Sequence, residues 1–255
     1  MVMRAKAVEL TVSASPFYPF ASYRLNWLQC NSVQDLNYHF AAIEEHLAVP
    51  ESEETWDKLA SAITRLKSLA DNGAAEFPSE FVSLVRGVAR PLILCVNSER
   101  SKLSGVSLEL FFSLCQSLQS SFAPLIPVFL PTLLSQCMRS NKVFSARGRA
   151  CVIEIIGSTR LPVILTYVLN SVKDKSVAMR LAAAEAALAC LNACDPGELV
   201  KGVRQGEIES IIKATIQDPN GDIRKTSRKM FEAYTILNPD RIDTYVFPPR
   251  PYKPC

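Results

Sequence analysis

The chain has 255 residues, 48% of them apolar and 21% charged; it is long enough to bury a sizeable core and too mixed in charge for wholesale disorder. A net charge of +3 is too small to imply nucleic-acid binding by itself, so no nucleic-acid partner is expected. Glycine is scarce at 9 residues, strand-like alternation is rare, and Leu, Ala, Ile and Val recur at helical spacing, which makes the class all-α.

Residues 1–31 read as an irregular leader, because Pro16 and Pro19 lack the amide hydrogen and fix φ. Met1 to Leu10 has no apolar run of signal-peptide length. Helices are then expected over Asp35–Leu47, with Leu36, Phe40, Ile43 and Leu47 on one stripe, and over Glu53–Ala70, with Trp56, Leu59, Ile63, Leu66 and Leu69. The pattern continues through Glu80–Cys95, Lys102–Gln119, Pro124–Met138, Phe144–Gly157, Pro162–Val172, Val177–Leu191, Glu207–Gln217 and Asp222–Leu237. Phe122 to Leu134 is strongly apolar but short for a membrane span and interrupted by prolines, so it reads as a turn plus a buried helix and no membrane partner is expected. Residues 247–255, rich in proline, read as the start of a linker.

Eight cysteines lie mostly inside apolar helical runs, where a reduced thiol acts as a small hydrophobe. No CxxC pair occurs, and His39 and His46 have no cysteine at zinc spacing, so neither metal nor disulfide is expected. The sequence carries no Gly-rich phosphate loop, GxSxG or HExxH. A non-enzyme with no cofactor and no small-molecule substrate follows, in a reducing intracellular compartment.

The helices come in pairs. Asp174-Lys175-Ser176-Val177-Ala178-Met179-Arg180 can be laid on Asp218-Pro219-Asn220-Gly221-Asp222-Ile223-Arg224, with an Asp, a short polar loop and an Arg six positions after the Asp in both. Trp56, Arg100, Lys142, Lys175 and Arg224 mark equivalent turns, 44, 42, 33 and 49 residues apart, near the ~40–47 of HEAT and armadillo units. The expected fold is an α-solenoid of five to six HEAT-type pairs over residues 32–246. Stacked pairs cover each other's apolar faces and align the loops within each pair along one edge, a natural binding ridge.

Glu54-Thr55-Trp56-Asp57-Lys58, Ser98-Glu99-Arg100-Ser101, Asn141-Lys142-Val143, Lys175-Ser176-Val177-Ala178-Met179-Arg180, and Asp218 to Arg224 followed by Arg228-Lys229 form an ordered series. The series resembles the loop motifs of tubulin-binding TOG domains, most closely the second TOG domain of the CLASP family, over roughly Ser32 to Val246. Two positions depart from that family: Leu59 and Gly105 stand where arginine is usual. The resemblance implies binding of αβ-tubulin or microtubules through the aligned loops, with microtubule stabilisation, in the cytoplasm, cytoskeleton and mitotic spindle. The residues implied in contact are Trp56, Lys58, Arg100, Ser101, Lys102, Asn141, Lys142, Lys175, Ser176, Asn220, Arg224 and Lys225.

Taken as residues alone, basic loop tips suit an acidic partner such as tubulin, steering association and fixing register. A Trp at a loop tip can act as an anchor, although Trp56 also begins an apolar stripe and could be core. Each lysine could equally be a solvated helix end. Arg180 suits a structural bridge to a repeat Asp, whereas Arg224 suits partner contact, and Asn141 and Asn220 suit turns. The competing function is a generic scaffold or transport adaptor that binds another protein through its concave face.

Overall fold

The computed structural model describes residues 29–239. The chain before residue 29 and after residue 239 lies outside the described residues, and with it most of the expected leader and all of the proline-rich tail. Twelve α-helices are arranged as five pairs, with no β-strand among the described residues. The first pair is α1 (Val33–Leu47) and α2 (Trp56–Asp71); in the second, α3 (Pro78–Gly87) and α4 (Ala89–Val96) precede α5 (Ser101–Leu118). The third joins α6 (Ile126–Gln136) to α7 (Lys142–Thr159), the fourth α8 (Ile164–Ser171) to α9 (Val177–Ala193). The fifth has the short α10 (Pro196–Leu199), then α11 (Gly202–Thr215) and α12 (Gly221–Leu237).

The second helices pack side by side in chain order, α2 on α5, α5 on α7, α7 on α9 and α9 on α12. Apolar faces account for that order. Leu36, Phe40, Ile43 and Leu47 are all buried as the stripe predicts, as are Leu59, Ile63, Leu66 and Leu69 of α2. The apolar stretch from α5 through α6 fills the centre, where Phe111 and Phe129 meet with ring centroids 4.8 Å apart. One continuous cluster runs from Cys30 to Tyr234, as expected when each pair buries its neighbour.

Three elements differ from the sequence expectation. The helix expected over Glu80–Cys95 is broken at Val88, whose φ of −97° and ψ of 18° leave the helical region. Pro91 supplies the cause: it has no amide hydrogen for the carbonyl of Gly87, and its ring would collide with that carbonyl. The helix expected from Pro124 is a 3-10 turn over Gln119–Leu125 before α6 begins at Ile126. The start of α11 is also earlier than Glu207, since Gly202 enters the helix with φ +54°.

All seven described cysteines are buried free thiols. Burial pushes Cys95 up to about 11, and Cys115 and Cys137 up to about 12. Cys115, Cys137, Cys151 and Cys190, expected to be buried, are all fully covered.

The third pair closes on one small residue. A Cβ on Gly148 would lie 2.6 Å from Gln136 Cβ and 3.1 Å from the Gln136 carbonyl carbon. The end of α6 therefore touches the backbone of α7, and Gly148→Ala must push the two helices apart. The expected cost is ~1–3 kcal/mol, read as a fall in urea midpoint. An unchanged or raised midpoint would show that this helix crossing yields freely.

Candidate functional site

Each second helix begins on the same edge of the stack, and the loops before α7, α9 and α12 are built by side-chain capping, whereas the N-caps of α2 and α5 make no such bond. Asn141 Oδ1 accepts from Val143 N–H at 2.9 Å, Ser176 Oγ from Met179 N–H at 3.4 Å, and Asn220 Oδ1 from Asp222 N–H at 2.9 Å. These side chains satisfy amides that the first helical turn leaves unpaired. Asn141 and Asn220 are therefore N-caps with extended backbones, at φ −71° and −80°, rather than left-handed turn residues.

The fourth and fifth loops share one design atom for atom. Asp174 Oδ1 accepts from Ser176 N–H at 2.7 Å, and Asp218 Oδ1 from Asn220 N–H at 2.8 Å. Arg180 Nη1 donates to the carbonyls of Asp174 and Lys175. Arg224 Nη1 donates in the same way to those of Asp218 and Pro219. Arg180 also reaches the next repeat, where its Nε is 2.7 Å from Asp218 Oδ2 and its Nη2 3.2 Å from Oδ1. That bidentate pair raises the Arg180 pKa and holds the Asp218 carboxyl below its ordinary value. Arg180 is a structural bridge, as expected. Arg224 clasps its own loop and makes no direct ion pair among the described residues, while its charge helps hold the Asp218 carboxyl down.

The first three loops are linked differently. Arg100 lies at the N-cap of α5, where its Nη2 is 2.7 Å from Glu53 and its Nε 3.2 Å from Glu51. Hydrogen bonding to Glu53 is the main reason its pKa is raised. Ser98 Oγ donates to Glu51 at 2.7 Å. Arg139, which sequence reasoning passed over, ties the third loop to the second. It meets Glu99 at 2.5 Å and the Ser98 carbonyl at 3.0 Å, and its guanidinium carbon lies 4.1 Å from the Phe144 ring centroid.

Trp56 is the first residue of α2; its ring is partly buried against the core, and Lys102 Nζ lies 5.3 Å from the ring centroid. It therefore combines the two readings the sequence left open, one face packing inward and the other beneath a cation. Lys58, Ser101 and Lys102 are exposed at the starts of α2 and α5. Lys142 is the exposed first residue of α7, Lys175 precedes the Ser176 cap of α9, and Lys225 is exposed in the first turns of α12. The twelve expected contact residues thus share one edge, but not one electrostatic state. The acids Glu51, Glu53, Glu54, Asp57 and Glu99 outnumber Lys58, Arg100 and Lys102, so the first two loops are acid-rich, and Glu51, Glu53 and Glu99 pair with Arg100 and Arg139. The last three carry Lys142, Lys173, Lys175 and Lys225, none with a carboxylate partner among the described residues, and Arg224, whose charge acts on Asp218. The excess positive charge therefore lies on the third and fourth loops, because Asp218 and Asp222 balance Arg224 and Lys225 on the fifth, with the aromatic on the first loop.

The edge also exposes aliphatic side chains that the sequence reading did not assign. Val49, Met138, Val143 and Val177, in or beside the first, third and fourth loops, are four of the large exposed hydrophobics. Val143 and Val177 follow Lys142 and Ser176 directly, in the first turn but off the buried stripe. That placement is the signal that could have found them. Tyr38, Leu94 and Val203, also exposed, are scattered singly over first-position helices, which is ordinary for a soluble surface.

A family model described as "CLASP N terminal" matches residues 36–245. Protein stu-1 of Neurospora crassa is 23% identical over 215 residues, covering 83% of this chain and 19% of that protein. CLIP-associating protein 1 of Xenopus tropicalis is 24% identical over 204 residues, covering 80% of this chain and 14% of that protein. The chain thus spans about a fifth or less of the length of these relatives. Among solved structures, the TOG domain of CEP104 superposes with a TM-score of 0.60 at 14% identity, covering 85% of this chain and 90% of that one. This likeness supports the solenoid fold and the order of its pairs.

Proposed function

The chain belongs to the CLASP N-terminal family, and from that premise we propose that it binds αβ-tubulin through the edge formed by its five intra-pair loops, in support of microtubule stability and the spindle. The observation that carries the reading is the composition of that edge: unpaired cations on the last three loops, Trp56 and Lys102 at the first two, and Val143 and Val177 exposed between them. An acidic partner spanning several loops matches this pattern. Cations steer and orient it, while the aliphatic and aromatic groups supply desolvated contact. The rigid cross-repeat pairs, such as Arg180 with Asp218, hold the loops in register before the partner arrives.

The concave-face scaffold has less support, because Tyr38, Leu94, Val203 and Ile236, the large exposed hydrophobics away from the edge among the described residues, lie on four different helices. Solution binding separates the two. The chain should co-elute with αβ-tubulin on gel filtration at low salt. Its affinity should fall several-fold between about 50 and 200 mM salt, as screening between exposed charges requires. No complex at low salt, or one indifferent to salt, would count against the edge.

A further inference from the structure

We infer that Arg147 is a further partner-contacting residue of this edge, held there by the absence of a side chain at Gly105; the inference rests on the tubulin reading above. Gly105 lies one turn into α5, and Arg147 lies in the second turn of the neighbouring α7. A Cβ on Gly105 would stand 2.9 Å from Arg147 Nη1 and 3.8 Å from its Cζ. The guanidinium therefore rests on the space the glycine leaves open. Glycine inside a helix weakens it relative to alanine, and Gly105 is buried within a helix whose neighbours Leu103 and Leu108 are core. What the glycine provides at this point is a seat for the arginine.

The nearby arginines show how unusual that seat is. Arg139 is paired with Glu99 and with backbone carbonyls, and Arg149 is paired with Glu185. Arg147 has neither a carboxylate nor a carbonyl partner among the described residues, and it remains partly exposed. A guanidinium oriented by a helix crossing but left without an acceptor presents its planar donor fork to an external carboxylate. It lies between Lys102, one turn before Gly105 on α5, and Lys142 at the start of α7. It thus bridges the acid-rich and the basic parts of the edge. The site lacks the arginine that resemblance leads one to expect at position 105, and the neighbouring helix supplies that charge instead.

The test measures binding of fluorescently labelled αβ-tubulin by anisotropy, together with Tm, for the wild-type chain and for Arg147→Ala, Arg147→Lys and Gly105→Ala. Arg147→Ala should weaken binding about five- to tenfold with Tm within about 1 °C of wild type, as expected for a charged contact desolvated only on binding. Arg147→Lys should recover part of that loss. Gly105→Ala should keep or raise Tm, through better helix propensity, yet weaken binding two- to threefold by displacing the guanidinium. Wild-type binding with unchanged affinity in Arg147→Ala would overturn this inference and leave the tubulin reading standing. A loss of affinity accompanied by a matching fall in Tm would make Arg147 structural and overturn it too. Absence of wild-type binding would remove the tubulin reading and this inference together.

Discussion

Asp218→Ala should be the most destabilising single substitution at the loop edge, lowering stability by about 3 kcal/mol. The Asp218 side chain is 5% exposed and that of Arg180 14%, and the carboxylate accepts from Arg180 Nε, Arg180 Nη2 and the Asn220 amide. Removing it leaves a largely buried guanidinium without its counter-charge, the costly way to break such a pair. It also releases the fifth loop from the fourth. For a domain of this size the shift in Tm is roughly 6–12 °C. The exposed Asp222, in the first turn of α12, provides a control worth less than ~1 kcal/mol through the helix dipole.

The pH dependence has a fixed sign. The folded-state pKa of Asp218 lies below its ordinary 3.8, chiefly through Arg180. Its contribution is therefore complete above about pH 4 and is lost as pH falls through the depressed folded value. The stability gap between wild type and Asp218→Ala should narrow below about pH 4. A constant gap down to pH 2 would mean that the ion pair is not the source of the effect.

Much of the fold could be read from the sequence because its stripes are regular and its repeats reuse one loop. The offsets that align Asp174 through Arg180 with Asp218 through Arg224 reappear as identical hydrogen bonds. The break at Val88 was hidden because Phe81, Leu84, Val85, Val88 and Leu92 keep helical spacing across it; the proline that causes it sits three residues further on. The opening of α11 was hidden by Gly202, Gly206 and a polar run that carries no apolar stripe.

At the edge, positions could be read and partners could not. Trp56 and the lysines fall where the repeat alignment puts them. That Arg100 is engaged by Glu53 depends on a contact 47 residues away along the chain, and its pairing with Glu51 on one farther still, which only stacking creates. Arg139 and Arg147 depend in the same way on the neighbouring pair. Local sequence gives a side chain its place on a helix, whereas the adjacent repeat decides whether its charge is free.

Because the free charge lies on the later loops, Lys142 and Lys175 rather than Arg100 should govern electrostatic attraction. Both are exposed, at the starts of α7 and α9, and neither has a carboxylate partner among the described residues. Reversing both charges replaces two attractions with two repulsions against an acidic surface, a change of about 2–3 kcal/mol, or roughly 30- to 150-fold in Kd. The fold should tolerate it, since exposed lysines outside any network contribute within ~0.5 kcal/mol. The matched control is Arg86→Glu with Lys201→Glu, which changes net charge equally at exposed positions off the loop edge, on α3 and before α11.

The measurement that tests the edge most directly is therefore the Kd for αβ-tubulin of Lys142→Glu/Lys175→Glu beside that of Arg86→Glu/Lys201→Glu, at one salt concentration and with Tm recorded for both. The loop-edge reading predicts a loss of roughly 30-fold or more in the first and less than about threefold in the second, with both variants folded. Equal losses in the two would show that only net charge matters, and full affinity in the loop variant would show that tubulin does not bind this edge.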